Sequence, residues 1–91
     1  MAASSVKAMI DGGARVVDVR TPDEFADGAY PGAVNIPLAS LASRAGELGP
    51  KDGPIVLYCA SGARSAQAAR LLKQAGFTNV VNAGGLSDMP D

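Results

Sequence analysis

The sequence predicts an α/β domain: an open parallel sheet of four to five strands with helices on both faces. Three observations lead there. Short apolar or β-branched runs alternate with helical patterns along the whole chain. One run, residues 55 to 59 (IVLYC), is apolar throughout, as in a strand buried on both faces of a parallel sheet. Glycine and proline mark nearly every junction between runs. The 91 residues suffice for one small domain, spanning 1–91.

The elements follow in order. A short first helix is expected, with Ser4 or Ser5 as N-cap and Gly12-Gly13 as its stop. Residues 14–19 (ARVVDV) read as a buried strand. In TPDEF, Thr21 is placed to cap, Pro22 sits at the first helical position and Glu24 two residues later completes a capping box. Gly28 and Pro31-Gly32 end that brief helix. A second strand is expected over 33–37 (AVNIP). A helix over 38–48 would place Leu38, Leu41, Ala42, Ala45 and Leu48 on one face. PKDGP is a turn, and strand 55–59 follows. The next helix, expected to start near Ser65, carries Ala68, Leu71, Leu72 and Ala75 on one face, and Gly76 ends it. Residues 79–83 (NVVNA) form the last strand, after which Gly84-Gly85 turn the chain away. Phe25 and Phe77 read as core, and Tyr58 as packed with a hydroxyl that needs a partner.

Composition narrows the function. Hydrophobic residues make up 47%, enough for a core without covalent staples. The net charge of −1 and the lack of a basic run leave no electrostatic footprint for nucleic acid. No apolar run is long enough to span a membrane. The N-terminus lacks the pattern of a secretory signal, so a cytoplasmic location is expected, or a periplasmic one if a signal peptide has been removed. The single cysteine excludes an internal disulfide, and with no histidine, Cys-His and Ser-His-Asp machinery are excluded as well. A zinc site built on one cysteine plus carboxylates would be unusual.

That cysteine, Cys59, ends the most apolar strand, where ligands bind in an open α/β sheet. A lone cysteine is most often a buried apolar filler. Here the loop Ala60, Ser61, Gly62, Ala63 follows at once, small enough to curl its N–H groups inward. Gly62 can take a positive φ. Convergent N–H groups above a helix N-terminus cradle an anion, and Arg64 adds a charge with bidentate reach. The same features act on the thiol. A free cysteine has a pKa of about 8.5, and lowering it by about two units, worth roughly 2.7 kcal/mol, would make the thiolate the major form. The loop therefore suits a thiolate nucleophile attacking an anion. Ser61 and Ser65 are candidate donors to the sulfur or the substrate, although a serine at such a junction is often only a cap. Asp18 and Arg20 are expected to fix the end of the first strand, with Arg20 either pairing Glu24 or facing the pocket, since it too lies near a strand's carboxyl end. Gly84, Gly85 and Leu86 are expected to form a neighbouring wall of the cleft.

The chain resembles the single-domain rhodanese sulfurtransferases along essentially its whole length. VVDVRTPDEFADGAYPGAVNIPL is similar to the family's first signature, and VLYCASGARSAQAARLLKQAGFTNVVNAGGL to its active-site strand, loop and helix. The tail NAGGLSDMP is similar to that of short phage-shock-type members. The resemblance implies ping-pong transfer through a Cys59 persulfide, with no metal or organic cofactor needed. The donor would be a small anionic sulfur compound such as thiosulfate, and the acceptor cyanide or a thiol. It assigns substrate contacts to Arg64, Ala60, Ser61, Gly62, Ala63 and Ser65. A sulfur-relay protein is the alternative partner, with the chain then a persulfide carrier of weak thiosulfate activity. Related phosphatases of the cell-cycle type have a loop one residue longer between cysteine and arginine, so a phosphatase-like activity is less favoured, as is a silent interaction module. Ala29 stands where the family usually has histidine, and the tryptophan usual after the Gly-Gly is absent. Because the chain stops soon after Gly85, the C-terminal helix of longer members is not expected.

Overall fold

In a computed structural model, which describes residues 3–91, four parallel strands form one sheet in the order β2-β1-β3-β4. The strands are β1 (Arg15–Asp18), β2 (Val34–Asn35), β3 (Ile55–Cys59) and β4 (Val80–Gly85). The helices are α1 (Ala3–Asp11), α2 (Pro22–Ala26), α3 (Leu41–Arg44) and α4 (Ala63–Gln74). None of them is long and apolar enough to cross a membrane.

Period-two alternation sorts the side chains of the central strands onto two faces. Val17, Val19, Ile55, Leu57 and Cys59 form one core with Leu41, Leu48, Ala68, Leu72 and Phe77. Val16, Val56 and Tyr58 form the other with Val6 of α1 and Met89. Helices thus cover both faces, and β3 is buried at all five positions. The Tyr58 hydroxyl accepts the Tyr30 N–H at 2.9 Å, which satisfies a phenol with no solvent exposure.

Local signals account for several element ends. Thr21 caps α2 reciprocally: its hydroxyl accepts the Glu24 N–H at 3.3 Å, and Glu24 Oε1 accepts the Thr21 N–H at 3.1 Å. α4 ends in a Schellman motif. Gly76 has φ +102°, its N–H bonds the Lys73 carbonyl, and the Phe77 N–H bonds the Leu72 carbonyl.

The structure departs from the sequence expectations in several places. Of the strand expected over 33–37 only Val34–Asn35 pairs as β2, and β4 runs on through Gly84 and Gly85, which were expected to turn the chain away after residue 83. Ser4 and Ser5 lie inside α1, and the residue ahead of Ala3 lies outside the described residues. The expected helix over 38–48 is α3 flanked by 3₁₀ turns at Leu38–Ser40 and Ala45–Leu48. Ser40 (ψ −5°) and Arg44 (ψ 9°) depart from helical geometry, so Leu41 and Leu48 reach the core while Ala42 is exposed. α4 begins at Ala63, two residues earlier than Ser65, because Gly62 takes φ +102° and serves as its N-cap. Phe25 is partly exposed, since the five-residue α2 buries no residue fully.

Candidate functional site

β1 pairs with β2 on one side and with β3 on the other. The chain therefore leaves β1 and β3 in opposite directions, opening a crevice at their carboxyl ends. Cys59 ends β3 there, 1% exposed and in the reduced form. β4 carries a bulge beside it. Leu57 pairs with Asn82, but Cys59 pairs with Gly85, so β4 holds one residue more than β3 over this span. Gly84 absorbs the irregularity with φ +99°. The bulge brings Gly85 against the loop so closely that a Cβ there would collide with the Ala60 carbonyl oxygen. Gly84 and Gly85 stand where the wall was expected, held by Asp88 Oδ2, which accepts the Gly85 N–H at 2.8 Å, whereas Leu86, expected with them, packs against the Val16, Val56 and Tyr58 core instead.

The loop folds around the sulfur. The Gly62 N–H reaches Sγ at 3.0 Å and the Ser65 N–H at 3.4 Å. The Ser65 hydroxyl lies 3.4 Å from Sγ. Burial pushes the thiol up, but the Ser65 hydroxyl and the N–H groups of Ser65, Ser61 and Gly62 outweigh it and bring the pKa from 9.0 to about 7. Near neutrality a large share of Cys59 is then thiolate, the nucleophilic form of the residue.

The six predicted contact residues divide clearly. Gly62 and Ser65 meet the sulfur directly, and Ser61 contributes its N–H while its side chain is exposed. Ala60 and Ala63 are exposed at either end of the turn. Arg64 lies in the first turn of α4 with its guanidinium already engaged. Nη1 and Nη2 meet Glu24 Oε1 and Oε2 at 2.7 and 3.0 Å. The acidity of Cys59 thus comes from Ser65 and the loop N–H groups, with Arg64 acting only across space.

The expected Arg20–Glu24 pair is replaced by two others. Arg20 forks onto Asp18, with Nε at 3.0 Å and Nη2 at 2.7 Å from Oδ2, and also donates to the Gly28 carbonyl. Asp18 and Arg20 point the same way because they are two residues apart on extended backbone. Their buried pair closes the end of β1, with the Arg20 guanidinium 5.7 Å from the Tyr58 ring centroid. Glu24 is left for Arg64.

Sequence reading passed over Asn82. Its Oδ1 lies 2.6 Å from the Ser65 hydroxyl and accepts the Gly84 N–H at 2.9 Å, and its Nδ2 donates to the Gly62 carbonyl at 3.3 Å. One amide thus ties the bulge to the loop and positions Ser65. The available signal was an amide in an otherwise apolar strand. Two surface clefts lie elsewhere, one lined by Ala14, Arg15, Pro50 and Pro54, the other by Ile10, Tyr30, Leu86 and Met89. Neither is lined by Cys59.

Comparison with known proteins gives a consistent result. Residues 2–89 match the family described as Rhodanese-like domain. The chain is 46% identical over 70 residues to a sulfurtransferase of Allochromatium vinosum, covering 77% of this chain and 64% of that protein. It is 39% identical over 74 residues to the thiosulfate sulfurtransferase PspE of Escherichia coli, covering 80% and 71%. It is also 43% identical over 67 residues to the putative sulfur carrier protein YrkF of Bacillus subtilis, covering 74% of this chain but 36% of that protein. A solved structure described as rhodanese with anions from E. coli superposes with a TM-score of 0.80 at 38% identity, covering 86% of this chain and 95% of that one.

Proposed function

Because the chain belongs to the rhodanese-like domain family, we propose that it is a sulfurtransferase working through a persulfide on Cys59. It moves a sulfane sulfur from thiosulfate or a similar donor to cyanide or a thiol. The observation that carries this reading is the buried Sγ receiving the Gly62 and Ser65 N–H groups, with its pKa drawn down to about 7.

The chemistry needs only this chain and its substrates. The Cys59 thiolate attacks the outer sulfur of thiosulfate. The S–S bond of the donor breaks, and sulfite leaves with the electron pair. Cys59 then carries a terminal sulfur as a persulfide anion. The Gly62 and Ser65 N–H groups, already directed at Sγ, offset the negative charge of that site. Cyanide or a thiolate attacks the terminal sulfur, and the Cys59 thiolate is released. Thiocyanate formation should therefore follow ping-pong kinetics, with parallel double-reciprocal lines as thiosulfate and cyanide are varied. Intersecting lines, or turnover by Cys59→Ser, would refute the covalent route.

A second reading is supported by Arg64. Its guanidinium is occupied by Glu24, so less of it is free for a donor's oxyanion. A persulfide carrier in a sulfur relay, loaded by a partner protein and slow with thiosulfate, fits that arrangement. Fast loading from a desulfurase-type persulfide together with slow thiosulfate turnover would favour it.

A further inference from the structure

The charges around the Cys59 loop cancel in pairs. Arg64 is matched by Glu24 through two short contacts, and Arg20 by Asp18. Asp88 adds a carboxylate on the Gly85 side of the loop. Glu24 does not meet Arg64 by chance of rotamer. The same carboxylate accepts the Thr21 N–H and hydroxyl, both at 3.1 Å, so the capping box of α2 fixes it before Arg64 arrives. Arg64 still has N–H groups beyond the two that Glu24 engages, because a guanidinium carries five. It can therefore contribute hydrogen bonds to a donor while contributing little net charge.

We propose that Glu24 sets the donor preference of this site: by cancelling the charge of Arg64, it disfavours dianionic sulfur donors relative to donors carrying a single charge. This rests on the sulfur-transfer reading above and names the residue that tunes it. Thiosulfate is the dianionic case. Methanethiosulfonate, a monoanion, offers the same step. The thiolate attacks the outer sulfur, the S–S bond breaks, methanesulfinate leaves with the electron pair, and the same Cys59 persulfide remains.

Glu24→Gln isolates the charge. Glutamine also serves at the third position of a capping box, so α2 keeps its start, and the amide oxygen can still accept from Thr21 and Arg64. Coulomb energy scales with the donor's charge. A gain of about tenfold in kcat/KM for thiosulfate, equivalent to about 1.4 kcal/mol, should then accompany a gain of only about threefold for methanethiosulfonate. Both gains should shrink as ionic strength rises. Equal changes for the two donors, or a loss with both, would overturn the proposal and leave Glu24 as a residue that merely holds Arg64 in place. Persulfide formation should be followed by intact mass alongside the kinetics. If neither donor loads the wild type or the variant, the sulfur-transfer reading itself fails, and the proposal with it.

Discussion

Replacing Ser65 with alanine tests how the thiol is activated. The hydroxyl lies 3.4 Å from Sγ and also 2.6 Å from Asn82 Oδ1. It has one hydrogen to give. With Cys59 protonated, Asn82 Oδ1 is the nearest acceptor for that hydrogen, with the Gly62 and Gly84 carbonyls at 3.1 and 3.3 Å also in reach; once the sulfur ionises, it can turn to the thiolate. A hydrogen bond to a charged group is worth about 1.5–3 kcal/mol, and competition from Asn82 places this one near the lower end. About 1.4 kcal/mol corresponds to one pKa unit, so Ser65→Ala should raise the Cys59 midpoint from about 7 to about 8. The sign follows from what remains: burial still disfavours the thiolate, and one of the groups opposing it is gone. The Gly62, Ser61 and Ser65 N–H groups stay, so the midpoint should not return to 9.0. The assay is the rate of alkylation by iodoacetamide as a function of pH, which reports the thiolate directly. At pH 7 the thiolate fraction should fall from about a half to about a tenth, and by pH 9 the two proteins should differ little. An unchanged midpoint would show that the backbone alone holds the thiolate and that the Ser65 hydroxyl only serves Asn82.

Three further outcomes follow from the same geometry. Gly85→Ala would drive a Cβ into the Ala60 carbonyl and displace the loop, and a misplacement of about 1 Å costs on the order of 100-fold in rate; thiocyanate turnover should fall accordingly while circular dichroism still shows a folded domain. Tyr58→Phe leaves the Tyr30 N–H without its partner and should cost about 1–3 kcal/mol in urea unfolding, with an unchanged m-value. The Arg64 guanidinium, with the Thr21 N–H, holds Glu24 down from 4.5 to about 2. A depressed carboxylate stabilises the fold above its unfolded pKa and loses that contribution as pH falls through its folded one, so the Tm advantage of wild type over Glu24→Gln should be full above about pH 4.5 and gone near pH 2. A Tm difference independent of pH would contradict the ion pair.

What the sequence reveals here depends on how local the cause is. The capping box at Thr21 and Glu24, the Gly76 stop and the apolar β3 each rest on a few adjacent residues, and each forms as expected. Cys59 and Gly62 were legible for the same reason: strand end, glycine and helix start are neighbours in the chain. The segment over 38–48 was not, because its periodicity fits a single helix while the backbone at Ser40 and Arg44 bends so that Leu41 and Leu48 both meet the sheet. Pairings across the fold were the least legible. Glu24 and Arg64 lie 40 positions apart, and only the parallel topology brings the start of α2 to the start of α4. The Asn82–Ser65 contact likewise depends on β4 lying beside β3 and on a bulge no local pattern announces.

The central claim is that Cys59 carries sulfur. Intact mass of the protein after brief exposure to thiosulfate tests it most directly. A gain of one sulfur atom is predicted, removed by cyanide with release of thiocyanate and absent from Cys59→Ser. An unmodified mass with thiosulfate and with methanethiosulfonate, in a protein whose Cys59 still alkylates with a midpoint near pH 7, would contradict it.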